Sequence, residues 1–171
     1  MPSLSLDEIY RRALVKAFHP EKIHFQEAFS AYDDVQQGVA FFSGKLWVDV
    51  INDADSFRTH DDLINLLNSI EDKISILPIY LYFSAIDSEP DTEFYGLMNF
   101  LQFPKVKDAL TSNQRSLIIF CLATLVARKS VIHNDLLPVL DRFMNGAQAH
   151  EAEVFGQDDL RVGRVGLPGG D

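Results

Sequence analysis

Asp87, Glu89, Asp91 and Glu93 alternate along the chain as the oxygen ligands of a calcium loop do. Such a loop also needs a glycine at its sharp turn and a bidentate glutamate at its closing position. Here Pro90 interrupts the run, Glu93 stands near the turn and Met98 replaces the closing glutamate, so the run reads as a solvated acidic loop. Asp53 and Asp55 begin the same alternation, but Phe57 occupies the next ligand position. His19, His24, His60, His133 and His150 show neither His-x-x-x-His nor His-Glu-x-x-His spacing, the arrangements that would place two imidazoles on one zinc ion. No metal and no other cofactor is expected.

Nucleophilic chemistry has equally little to start from. Cys121 is the only cysteine, so the chain forms no internal disulfide. It lies in an apolar run, where a thiol behaves as a small hydrophobe. There is no Gly-x-Ser-x-Gly, no phosphate-binding glycine loop and no Gly-x-Gly-x-x-Gly, and no catalytic residue is assigned. The candidate recognition residues are aromatic: Trp47, Tyr80 and Tyr82, with Asp33, Asp34 and Lys45 beside them, would line a shallow binding site. The competing reading places Trp47 and the tyrosines in the core, with the indole N–H of Trp47 seeking a carbonyl or carboxylate. Tyr80 and Tyr82 fall on different sides of a helix, so at most one faces any given pocket.

The elements that must hold these residues are helical. Thr111 and Gln114 form a capping box, which opens into eleven residues, Leu117 to Ala127, apolar but for Thr124. Arg128 and Lys129 complement the dipole at the far end. A helix apolar all round is a core helix or a membrane span, and a span needs roughly 18–20 such residues. The spacing therefore predicts an all-α, single-domain bundle of about seven helices around a central apolar helix at 111–129. Ser5 and Glu8 cap a first helix that Pro20 stops. Residues 23–32 form a short helical turn carrying Phe25 and Phe29. Asp33-Asp34 opens a helix that Ser43-Gly44 ends, and Trp47 to Ile51 is a short apolar piece. Thr59 to Asp62 caps the pattern from Leu63 to Ile70. Pro78 suits a first helical position. Phe94 to Phe103 and Asp135 to Met144 supply further helices. The alternative is an α+β fold with a small sheet using 74–86, since Ile79 to Phe83 also reads as a strand; a lone strand, however, would leave its backbone hydrogen bonds without partners.

Residues 1–145 form the helical domain on this reading. Residues 146–171 form a C-terminal extension, rich in glycine and expected to be disordered from about 156. The start of the chain lacks the basic and apolar regions of a signal peptide, which predicts a cytoplasmic protein.

The net charge is −10 and uneven. Asp49 to Glu93 holds eleven acids against Arg58 and Lys73, whereas in Pro104 to Asn145 the bases outnumber the acids. No Lys/Arg cluster exists to release counterions from phosphates, so neither nucleic acid nor an anionic membrane is expected as a partner. The acidic half, with Asp53, Asp55, Asp61 and Asp62 at its centre, serves solubility or steers a basic protein partner.

Three motifs in order, Phe42-Ser43-Gly44-Lys45-Leu46-Trp47 behind Asp33-Asp34, Leu77-Pro78-Ile79-Tyr80-Leu81-Tyr82, and Leu110-Thr111-Ser112-Asn113-Gln114 running into Phe120, resemble an uncharacterised family of small bacterial proteins, a domain of unknown function. The likeness covers about Leu14 to Ala127. It implies a bacterial, mostly helical, single-domain protein and no particular activity.

Two function classes follow. One is a small acidic interaction protein, of regulatory or immunity type, that binds a protein partner. The other is an enzyme or small-molecule binder with its site near Trp47 and Tyr80, which would require convergent polar groups in a concave pocket.

Overall fold

A computed structural model describes residues 4–26, 32–87, 92–128 and 136–145. The fold is all-α: α1 Leu6–Phe18, α2 Asp33–Phe42, α3 Trp47–Val50, α4 Ala54–Arg58, α5 Leu63–Leu66, α6 Ile70–Ile86, α7 Thr92–Leu101, α8 Pro104–Ala109, α9 Ser112–Ala127, and a last helical stretch, α10, at 136–145. Among the described residues the nearest thing to a sheet is one antiparallel bridge between Lys22 and Leu46. The extension after Asn145 lies outside the described residues, as do Phe29, Glu89, Asp91 and Lys129.

Both capping boxes form. The Ser5 hydroxyl accepts the Glu8 N–H at 3.2 Å and the Ser5 N–H donates to the Glu8 carboxylate at 3.0 Å. Thr111 and Gln114 make the same exchange at 3.3 and 2.9 Å. Each pair satisfies two helix-end donors that would otherwise face water alone.

The axis of the bundle is α6 and not the helix at 112–127. Every residue from Ile76 to Ala85 is buried, and α6 packs against α1, α3, α5, α7, α8 and α9. In α9 only Leu117, Ile118, Cys121, Leu122 and Leu125 are buried, a single stripe, and Phe120 on the opposite side is 46% exposed. Apolar runs of similar length thus sit in different places, because neighbours on all sides, which sequence does not display, decide which is enclosed.

The strand alternative for 74–86 fails, since these residues belong to one helix that begins upstream at Ile70. The Ser69 hydroxyl accepts the Asp72 N–H at 3.2 Å and sets that start. Pro78 consequently lies inside the helix rather than at its first position, where it offers no N–H to the Ile74 carbonyl. Burial on both sides holds the helix together across it. At the far end, Arg128 of the α9 C-cap donates to the Ala85 carbonyl at 2.6 Å.

Of the helical turn expected over 23–32, the described residues 23–26 are not helical, and 27–31 lie outside the described residues. The Ile23 N–H donates to the Lys45 carbonyl at 2.8 Å and the Gly44 N–H to the Ile23 carbonyl at 2.9 Å. The Gln26 N–H donates to the buried Asp72 carboxylate at 2.7 Å. Partners across the chain have taken the hydrogen bonds that a local turn would have used. Gly44, at φ +76°, turns the chain after α2, a conformation glycine adopts without a Cβ clash.

Candidate functional site

Trp47 is buried at the start of α3, and its indole N–H donates to the His19 carbonyl at 2.7 Å. Tyr80 has no exposed surface; its hydroxyl accepts the Ile64 N–H at 3.2 Å, at the first turn of α5. Burial first, and then the nearby Asp61, Asp62 and Glu93, raise the Tyr80 phenol well above its ordinary range, against the Ile64 hydrogen bond. The rings of Phe57, Tyr80 and Phe83 pack together, Phe57 stacking on Phe83 at 4.5 Å and meeting Tyr80 edge-on at 5.4 Å. Both residues are thus core, with their polar atoms engaged inside the fold.

Tyr82 faces the other way, toward α1, as helical geometry requires. Its hydroxyl donates to Asp7 at 2.6 Å and accepts from Arg11 at 2.6 Å. Arg11 also binds both Asp7 oxygens at 3.0 Å and reaches the Asn52 side chain at 2.7 Å. The Tyr82 hydrogen bond and then Arg11 hold the Asp7 carboxyl below the usual carboxylate range, against its partial burial. This network joins α1, α6 and the end of α3. Asp7 and Arg11 stand at the i,i+4 spacing of a helical ion pair, but no local signal joins them to Tyr82 or Asn52.

Lys45 lies over the Phe41 ring at 3.5 Å, and Phe41 packs on His60 at 4.8 Å. Asp33 and Asp34 open α2 and are exposed, favourable to the helix dipole. Asp53 caps α4, accepting the Ser56 N–H at 3.3 Å, and Asp55 is exposed in its first turn.

The structure brings Asp34 together with Asp61 and Asp62. They line one cleft of about 180 Å³ with Gln37, Gly38 and His60. Gly38 eases that proximity: a Cβ there would fall 2.9 Å from Leu63 Cδ1, so any larger residue requires the Leu63 side chain to shift. Asp62 accepts a hydrogen bond from the Asn65 amide at 2.7 Å. Asp33, Lys45, Trp47, Tyr80, Tyr82, Asp53 and Asp55 do not line the cleft. Gln37 and Gly38 carry no signal in the sequence, and His60 stands there only as a histidine without zinc-ligand spacing, because residues meeting from a helix and a distant turn leave no local pattern.

Of the acidic run at 87–93, Glu89 and Asp91 lie outside the described residues, and its two described acids, Asp87 and Glu93, face Arg58. Glu93 is buried, and Arg58 reaches both Asp87, at 2.9 Å, and Glu93, at 3.8 Å. Cys121 is buried in α9, and burial pushes its thiol up to about 12, the inert form. Among the described residues, no group of three or more His, Cys, Asp or Glu is arranged to hold a metal ion, and no helix is long and apolar enough to cross a membrane. Compared with known proteins, the chain matches no family model, no curated protein and no solved structure.

Proposed function

We propose that this is a small acidic interaction protein, of regulatory or immunity type, that binds a basic protein partner in the cytoplasm of a bacterium. The observation that carries the reading is the convergence of Asp34, Asp61 and Asp62 on one cleft between α2 and the α4–α5 turn. Three carboxylates around a small concave site form a receptor for one lysine or arginine head, and an arginine fork can bind two carboxylate oxygens at once. The surrounding excess of acid between Asp49 and Glu93 would steer such a partner from a distance and raise the association rate. The bacterial assignment draws on the motif resemblance described above. The enzyme or small-molecule reading near Trp47 and Tyr80 loses support, because both side chains are core and spend their polar atoms on internal hydrogen bonds.

The test is capture from the source cell with the full chain as bait, at low and high salt. Retention of a basic protein that washes off as the Debye length falls below about 8 Å, and that Asp34→Asn/Asp61→Asn/Asp62→Asn no longer captures, supports the proposal. Capture indifferent to both salt and the triple substitution would refute it.

A further inference from the structure

The end of α7 gathers carboxamides around an exposed aromatic ring. The Gln102 N–H donates to the Met98 carbonyl at 3.2 Å, which carries the helical path one residue past Leu101. Gln102 and Phe103 follow Asn99 at i,i+3 and i,i+4, so the three share one face. α5 packs on α7 and adds Asn65. With Phe100 and Lys73 these residues line a depression of about 480 Å³ in which, among the described residues, no carboxylate takes part. Phe103 is 57% exposed, a large aromatic face left to water.

The volume falls within the range for small-molecule sites, roughly 300–1,000 Å³. A hydrogen-bond relay orients the amides. The Asn65 side-chain NH₂ donates to the Asp62 carboxylate at 2.7 Å, and Asn65 Oδ1 accepts from the Asn99 side-chain NH₂ at a longer 3.5 Å. Because an ionised carboxylate only accepts, Asp62 fixes the direction of the relay and leaves Asn99 Oδ1 as an open acceptor. The Gln102 carbonyl takes a hydrogen bond from Arg142, while its side-chain amide has no partner among the described residues. A ligand matched to this depression has a flat π-face for Phe103 and, on its edge, a donor beside an acceptor. A purine with an exocyclic amine has both: it stacks on aromatic side chains, and its amine and adjoining ring nitrogen are the pair that carboxamides read. We propose that the depression binds an uncharged aminopurine, as free base or nucleoside. The ring lies against Phe103, the amine donates to Asn99 Oδ1, and the adjoining ring nitrogen accepts from the Gln102 amide. A net charge of −10 without a Lys/Arg cluster opposes a phosphate chain, so the base carries the recognition. Neither contact depends on Lys73 or on a protein partner at the acidic cleft.

Titration calorimetry of the full chain compares adenosine with purine riboside, the same nucleoside without the amine, and chemical-shift mapping of the side-chain amides locates the bound molecule. Adenosine is expected to bind at one equivalent, to shift the Asn99 and Gln102 NH₂ signals, and to bind about tenfold more tightly than purine riboside, as losing one of two paired base contacts implies. Asn99→Leu should reduce adenosine to the level of purine riboside and leave purine riboside unchanged. Gln102→Leu and Phe103→Ala should weaken both nucleosides, because ring nitrogen and ring face are common to them. All three side chains are exposed, and melting curves confirm that the variants remain folded. Absence of adenosine binding, equal affinity for the two nucleosides, or adenosine binding unaffected by Asn99→Leu would each overturn the proposal. Tighter binding of adenosine monophosphate than of adenosine would overturn the assignment to an uncharged ligand.

Discussion

Trp47 donates its indole N–H to the carbonyl of His19, and His19 is the one described non-glycine residue with a positive φ, +49° with ψ 143°. The hydrogen bond holds the end of α1 against the start of α3 and keeps the backbone of His19 where an L side chain is strained. Such a conformation costs on the order of 1–3 kcal/mol, and glycine would avoid it while giving back roughly 0.5–1 kcal/mol in unfolded-chain entropy. His19→Gly should therefore raise stability by about 1 kcal/mol, a Tm gain of about 2–4 °C. Trp47→Phe removes the donor and should destabilise the fold, which paired thermal melts will show.

Tyr80→Phe keeps the ring among Phe57 and Phe83 but leaves the Ile64 N–H without its acceptor. An unsatisfied buried donor costs about 1–3 kcal/mol, and urea denaturation at neutral pH should show a loss of that size. The pH dependence has a definite sign. Burial raises the Tyr80 pKa in the folded state, so its contribution is complete below the unfolded value of about 10 and is lost as pH rises beyond it. Wild type should weaken above that pH more steeply than Tyr80→Phe, and parallel alkaline slopes would count against this role for Tyr80.

Asp7 gives the opposite slope. Its folded-state pKa is depressed by the Tyr82 hydroxyl and by Arg11. The stabilisation is present above the unfolded value of about 3.9 and disappears as pH falls through the lower folded value. Because the Asp7 side chain is 42% exposed, solvent screening limits the pair to at most about 1 kcal/mol. Asp7→Asn should cost that much near neutrality and nothing under strong acid, as measured by denaturation midpoints at several pH values.

Leu77 and Phe120 separate the two candidates for the centre of the bundle. Leu77 in α6 is fully buried and Phe120 in α9 is half exposed, so Leu77→Ala should cost about 2–5 kcal/mol and Phe120→Ala much less. Leu122 belongs to the buried stripe of α9, and Leu122→Asp should prevent folding, because an unpaired buried charge costs several kcal/mol against a total of about 5–15. Soluble expression and circular dichroism of the three variants check the ranking.

Local chemistry wrote much of this fold into the chain. The helix starts at Ser5 and Thr111 were legible because a capping box is complete within four residues, and the end of α2 at Ser43-Gly44 because one glycine at φ +76° meets the need alone. The all-α class followed from many such signals agreeing, and the demand of the Trp47 indole for an acceptor followed from its chemistry. What the sequence could not rank was enclosure. The runs at 76–85 and 117–127 look alike by composition, and only the packing of six helices around α6 made it the core. Nor could it assign Pro78 to a helix interior, since that depended on burial holding the helix across a missing N–H. The clefts were the least visible features. Asp34 shares a cleft with Asp61 and Asp62 because α2 packs on α5, and Lys73 meets Phe103 because α6 and the α7–α8 corner converge. Residues far apart along a chain share no local energy term, so their meeting is decided by tertiary packing.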